Sequence, residues 1–195
     1  MWVRKSSIRP VPSYARIEAR TLEQVRTLLA SDEEEDGTQS VLDDAFERFD
    51  DSQEALSRRL ADVLNRPLGD TALALGYFSY LAVWMAFDLQ HGRSLAAVGE
   101  EELEATEQLL RLDEHLREDD PQEPLETDDV VAMEQPELVR FVHEYLEATL
   151  EEHGEGVELE AVQTIYRMVL VEMLALSYAV RAPLGYPTSR GEVVA

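Results

Sequence analysis

The sequence predicts an all-α protein, a single-domain helical bundle of about six or seven helices. Three observations predict it. Apolar residues recur at three- and four-residue spacing in one segment after another, Ser, Asp, Pro and Gly punctuate those segments where helices begin and end, and no segment alternates apolar and polar residues as a half-buried strand would. With 195 residues and 45% hydrophobic content, the chain can bury one sizeable core, so its formal charge of −24 coats a folded body and does not signal wholesale disorder.

Residues 1–20 stand apart from that body. Arg4, Lys5, Arg9, Arg16 and Arg20 face only Glu18, which gives the segment +4 and leaves −28 for the remainder. Pro10 and Pro12 favour extended structure, so the segment reads as a basic arm. It has no continuous apolar stretch of the secretory kind, and a cytoplasmic location is expected. Coulomb attraction would lay the arm across the acidic surface of its own chain; the alternative is a partner-binding arm, with Arg4, Lys5, Arg9 and Arg16 as its contact residues.

Helices then follow in series over residues 21–181. Thr21-Leu22-Glu23-Gln24 is a capping-box pattern opening a helix to about Ala30, and the acidic run 31–38 is a loop. Ser40 can cap a short helix through Phe49 and Ser52 another through Asn65, ended by Pro67 and Gly69. Thr71 to Phe87 is a run of seventeen uncharged residues between Asp70 and Asp88. It is short for a membrane span, which needs about 20 residues, and aspartates bracket it, so it reads as a central buried helix that Gly92 ends. Gly99 to Arg117 forms an amphipathic helix with Glu100, Glu101 and Glu102 at the positive end of its dipole. Glu118 to Asp129, with Pro121 and Pro124, reads as an acidic surface linker. Pro136 opens a helix to about Glu152, Gly154 and Gly156 separate it from a last helix over Glu158 to Arg181, and residues 182–195 form a loosely ordered tail.

The halves resemble each other. Gln53, Leu56, Arg58, Leu60 and Leu64 align without gaps with Gln135, Leu138, Arg140, Val142 and Leu146; after a seven-residue insertion, Tyr77, Leu81 and Trp84 align with Tyr166, Leu170 and Met173. Each half would be an amphipathic helix followed by a strongly apolar one, and two such hairpins can bury their apolar helices together with pseudo-twofold symmetry.

Composition bounds the chemistry. The chain has no cysteine, which excludes disulfides, thiolate metal sites and cysteine nucleophiles, and its charge opposes both nucleic acid and anionic membrane surfaces as partners. Lys5 is the sole lysine beside sixteen arginines. A G+C-rich genome produces this bias, and so does a salt-rich cytoplasm, in which a carboxylate-covered surface stays hydrated while its repulsion is screened within roughly 3 Å at molar ionic strength. The second reading expects folding to weaken at low salt.

Glu172 is the most informative single residue. At 100° per residue, Glu160, Gln163, Arg167 and Arg181 cluster on one side of the last helix, and Glu172 falls nearly opposite, near Ile165, Val169 and Leu176. It should point inward, where a carboxylate must meet an Arg or His or take up a proton. A buried salt bridge and a pocket with acid/base character are the two readings, and Tyr77, Tyr80, Trp84 and Tyr166 are the aromatic residues that would line such a pocket. No metal site or cofactor is expected: there is no Glu-x-x-His, Asp88 to His91 is the nearest match, and His143 with Glu147 lies on a solvated face.

Catalytic signatures are missing as well; there is no Gly-x-Ser-x-Gly, no glycine-rich phosphate loop and no His-Glu-x-x-His. The expectation is a non-enzymatic protein–protein interaction or adaptor module, with a protein partner or self-association. Two alternatives stand beside it. In size, acidity and helical content the chain is similar to the private chaperones that mature redox enzymes, an architectural analogy without their signature motifs. It could also be a small-ligand binder or enzyme with a pocket near Glu172.

Overall fold

The computed structural model describes residues 6–32, 41–118, 125–154 and 157–186. Among them are eight α-helices, α1 (Ala19–Asp32), α2 (Val41–Ser52), α3 (Glu54–Leu64), α4 (Asp70–His91), α5 (Glu100–Glu118), α6 (Thr127–Glu134), α7 (Pro136–His153) and α8 (Leu159–Ala179), with 3-10 turns at Ser13–Ala15 and Gly92–Ser94. The all-α bundle predicted from periodicity is the observed fold. Arg4, Lys5, Ser40, most of the acidic loop, Pro121, Pro124, Gly156 and residues 187–195 lie outside the described residues.

The two most apolar helices, α4 and α8, pack against each other at the centre, and the amphipathic helices surround them. Close approach is possible because Gly76 has no side chain: a Cβ there would sit 2.5 Å from Ile165 Cδ1. From Tyr80 to Phe87 every residue of α4 is buried, so its apolar composition makes a core helix in this fold. Gly92 ends it in the left-handed region at φ 47°, a conformation that a Cβ disfavours. On either side, α1 lies against α4 and α7, and α5 against α8 and α3.

Some element boundaries are corrected. The stretch read as a linker to Asp129 ends in a helix, since α6 starts at Thr127. Its acids are a helix start: Asp128 and Asp129 occupy the first turn, and the Glu126 N–H donates to Asp129 Oδ2 at 3.0 Å. The last helix also stops at Ala179, two residues before the predicted end, because Val180 pairs with Leu95 in an isolated antiparallel bridge.

The helix order of the two halves corresponds, α1 to α4 with α5 to α8, and the glutamines matched in the sequence share one structural device. Gln53 lies between α2 and α3 at φ −136°, ψ 53°, and Gln135 between α6 and α7 at φ −132°, ψ 63°. Both are buried, and each clamps a segment of the opposite half. The Gln53 amide donates to Ala96 O (3.1 Å) and accepts from Val98 N (2.9 Å); the Gln135 amide donates to Ala15 O (3.0 Å) and accepts from Ile17 N (3.0 Å). The clamped segments lead into α5 and α1, which fixes where both outer helices begin.

Candidate functional site

Glu172 points inward, as its helical phase predicts, and is fully buried. Among the described residues no arginine or histidine meets it. Neither carboxylate oxygen has a hydrogen-bond partner, so the expected salt bridge is not formed among the described residues. Burial alone pushes its carboxyl well above the usual carboxylate range, and a neutral acid is the form that this surrounding accepts. Ser79 Oγ and Trp84 Nε1 on the facing helix α4 are likewise buried without hydrogen-bond partners.

The aromatic residues predicted to share a pocket with Glu172 divide. Tyr80 is near enough for the Glu172 charge to reinforce the upward shift that burial imposes on its phenol. Phe49 of α2 meets Tyr80 and Trp84 edge-on, at ring-centroid distances of 5.9 and 5.5 Å, while Tyr77 lies 5.7 Å from Phe46. These contacts make Tyr77, Tyr80 and Trp84 the seam between α4 and α2. Tyr166 lies elsewhere, its hydroxyl 2.6 Å from His143 Nε2 on α7. Glu172 lines none of the cavities described below.

The described part of the arm runs across its own chain. Asp113, fully buried, accepts from Ser6 Oγ (2.7 Å) and Ser7 N (3.1 Å) while Arg117 Nε donates to its other oxygen at 2.6 Å. Burial opposes the ionised carboxylate, but these donors outweigh it and hold the Asp113 pKa below its ordinary value. Further along, Glu134 Oε2 accepts from Val11 N at 2.9 Å and pairs with Arg16 at 3.5 Å. Gln90 then receives Glu18 N and donates to Arg16 O, and Gln135 closes the last turn before α1. Arg9 lies over the Tyr178 ring, 4.3 Å from its centroid, and Tyr178 Oη donates to Arg9 O at 2.7 Å. Burial raises the Tyr178 phenol to about 12 even against the opposing Arg9 charge. Arg9 and Arg16 are thus engaged within the chain. Buried carboxylates and amides seize the arm mainly by its backbone and serines, which its net charge did not reveal.

The largest of the cavities found among the described residues, about 820 Å³, is an open groove between α5 and the end of α8. Ala96, Ala105, Ala175 and Ala179 line it with small side chains, Leu109 and Leu112 add apolar surface, and Arg9, Glu101 and Glu102 bring charge to it. Leu112 is 49% exposed and Leu116, one turn on, 47%. The apolar side of α5 is wider than its neighbours cover. Among the described residues, no three His, Asp or Glu side chains come together as metal ligands. No family model, no curated protein and no solved structure matches the chain.

Proposed function

We propose that this protein is a non-enzymatic interaction module of a salt-rich cytoplasm that holds an amphipathic helix of a partner protein in the groove between α5 and α8. The groove itself carries the reading. Its alanine walls let a helix backbone approach closely, its leucines offer apolar contact, and helix-in-groove recognition uses this combination. Charge selects the partner's flank: Glu101 and Glu102 in the lining, within a chain of −24, favour a segment that carries basic residues beside its apolar face. A dedicated chaperone would use the same surface. Support for an enzyme with Glu172 at its centre is weaker, because its carboxyl lines none of the cavities found among the described residues.

The test is a photo-crosslinking amino acid placed at Ala105, an exposed groove position, in the organism's own cells. The expected product is a discrete adduct whose captured peptide is amphipathic with basic flanks, and it should vanish in an Ala105-labelled protein that also carries Leu112→Arg. The same probe at exposed Glu151 on α7 should give no such adduct. Adducts of equal yield at both positions, or none at Ala105, would refute the reading; an adduct with a second copy of the chain would replace the partner with self-association.

A further inference from the structure

A second cavity inverts the charge of the molecule. Carboxylates outnumber cationic side chains 41 to 17 in the chain, yet the pocket of about 230 Å³ between α3, α5 and α8 is lined by Arg59, Arg66, Arg111 and Arg167 against the single carboxylate of Glu107. Its floor is apolar and buried, formed by Val63, Met168 and Val171. Random scatter of arginines over so acidic a surface would surround each with carboxylates. Here α3 and the turn that follows it, α5 and α8 converge their cations on one small space.

The guanidiniums are held in place and their charge is only partly met. Glu107, whose side chain is 14% exposed, pairs with both Arg59 and Arg111 at 2.6 Å, and although burial opposes its ionisation, the two arginines hold its pKa below the ordinary value. Arg167 pairs with Glu114, outside the pocket lining, at 2.8 and 2.9 Å. Arg66 has no ion pair among those of the described residues. Four positive charges therefore meet two negative ones. A guanidinium has five N–H donors in a planar fork, so the ion pairs leave donors for a further acceptor. The adjoining surface depression between α3 and α5 shows the contrast: it shares Arg59, Glu107 and Arg111 but adds Asp62, Glu100 and Glu104 to Arg58, and carries no such excess.

We propose that this pocket binds a small multivalent carboxylate, a di- or tricarboxylic acid whose carbon skeleton rests on Val63, Met168 and Val171 while its carboxylates bridge Arg59, Arg66, Arg111 and Arg167. The volume suits a ligand below drug size, since pockets for drug-sized ligands span about 300–1,000 Å³. Bidentate arginine–carboxylate geometry supplies affinity, and the apolar floor selects against inorganic oxyanions, which have no hydrocarbon to cover it. The site lies apart from the α5/α8 groove and does not depend on the function proposed for it.

Calorimetric titration of the full chain with citrate, succinate, acetate and inorganic phosphate, at the salt concentration where the protein is most stable, tests the proposal. Citrate or succinate should bind saturably with one site, acetate and phosphate at least tenfold more weakly. Arg66→Gln and Arg111→Gln change exposed side chains, and in variants whose Tm matches the wild type each should weaken the dicarboxylate or tricarboxylate by about tenfold, the worth of one charged hydrogen bond. Arg140→Gln, on the exposed face of α7, should leave it unchanged. Phosphate binding as tightly as citrate, equal losses in the Arg140 variant, or no saturable binding of citrate and succinate would each overturn the proposal.

Discussion

Glu172 makes the stability of this protein depend on pH in a direction opposite to that of a paired carboxylate. Its folded-state pKa lies above the ordinary 4.5 because burial disfavours the charged form and no hydrogen bond or cation compensates. Between 4.5 and the folded-state value, the native protein holds a proton that the unfolded chain has released, so stability falls as pH rises through that window. The slope for one proton is about 1.4 kcal/mol per pH unit, flat below the window and flat again above it. Glu172→Gln keeps the size and neutrality of the protonated acid and removes the titration. For a chain of this length, 1 kcal/mol corresponds to about 2–4 °C in Tm, so the variant should gain about 3–6 °C on the wild type with each pH unit inside the window. The other 40 carboxylates also titrate, but their effect is common to both proteins and cancels in the difference. Thermal melts of the pair from pH 4 upwards at fixed salt measure it. If the two Tm curves run parallel across the whole range, Glu172 carries no excess proton in the fold, and the assignment of a buried neutral acid is wrong.

The remaining predictions concern the clamps and the surface. Gln135→Ala strands the Ile17 N–H, at about 1–3 kcal/mol for a buried group left without a partner; the turn before α1 should then loosen, read as faster amide exchange at Ile17 and cleavage by protease just before Ala19. Gln53→Ala should lower Tm comparably and speed exchange at Val98, while leaving the arm in place. With −24 on 195 residues, removal of salt restores carboxylate repulsion over a Debye length that grows from about 3 Å at 1 M to about 30 Å at 0.01 M, so Tm should fall steeply between molar KCl and dilute buffer; a salt-indifferent Tm would refute halophilic adaptation.

What was legible in the sequence is what a single helix decides for itself. The buried run of α4 announces itself by seventeen uncharged residues, and the inward phase of Glu172 follows from 100° steps along α8. Its solitude does not follow, since it depends on which α4 side chains face it. For the same reason the aromatic residues of α4 could not be divided beforehand between Glu172 and α2. The start of α6 was hidden because Thr127, Asp128 and Asp129 read equally as a solvated run and as the negatively charged first turn of a helix. Both cavities were illegible for a stronger reason. Arg59 and Val63 lie one turn apart on α3 with Arg66 just past its end, Arg111 follows Glu107 by one turn, and Arg167 and Met168 precede Val171; each group is ordinary on its own, and only the packing of α3, α5 and α8 joins them.

The glutamine clamps connect these features. In a chain of two similar halves, a twofold relation would require every contact that the first half makes on the second to be returned. Gln53 reaches forward to Ala96 and Val98, and Gln135 reaches back to Ala15 and Ile17, with the same donor and acceptor roles at the same two-residue spacing. The sequence around the clamped segments agrees, Ser13, Ala15 and Ile17 matching Ser94, Ala96 and Val98. Such exchange supports the duplication more strongly than helical periodicity does, because apolar spacing recurs in unrelated helices whereas a buried amide reading one specific pair of backbone groups does not. It also ties the last residues of the arm to the fold: Ala15 and Ile17 meet Gln135 as Ala96 and Val98 meet Gln53. The halves also differ at the groove. Arg9 continues the arm across Tyr178 to the α5/α8 groove, and the same contact cannot form on the first half, where the residue aligned with Tyr178 is Leu89.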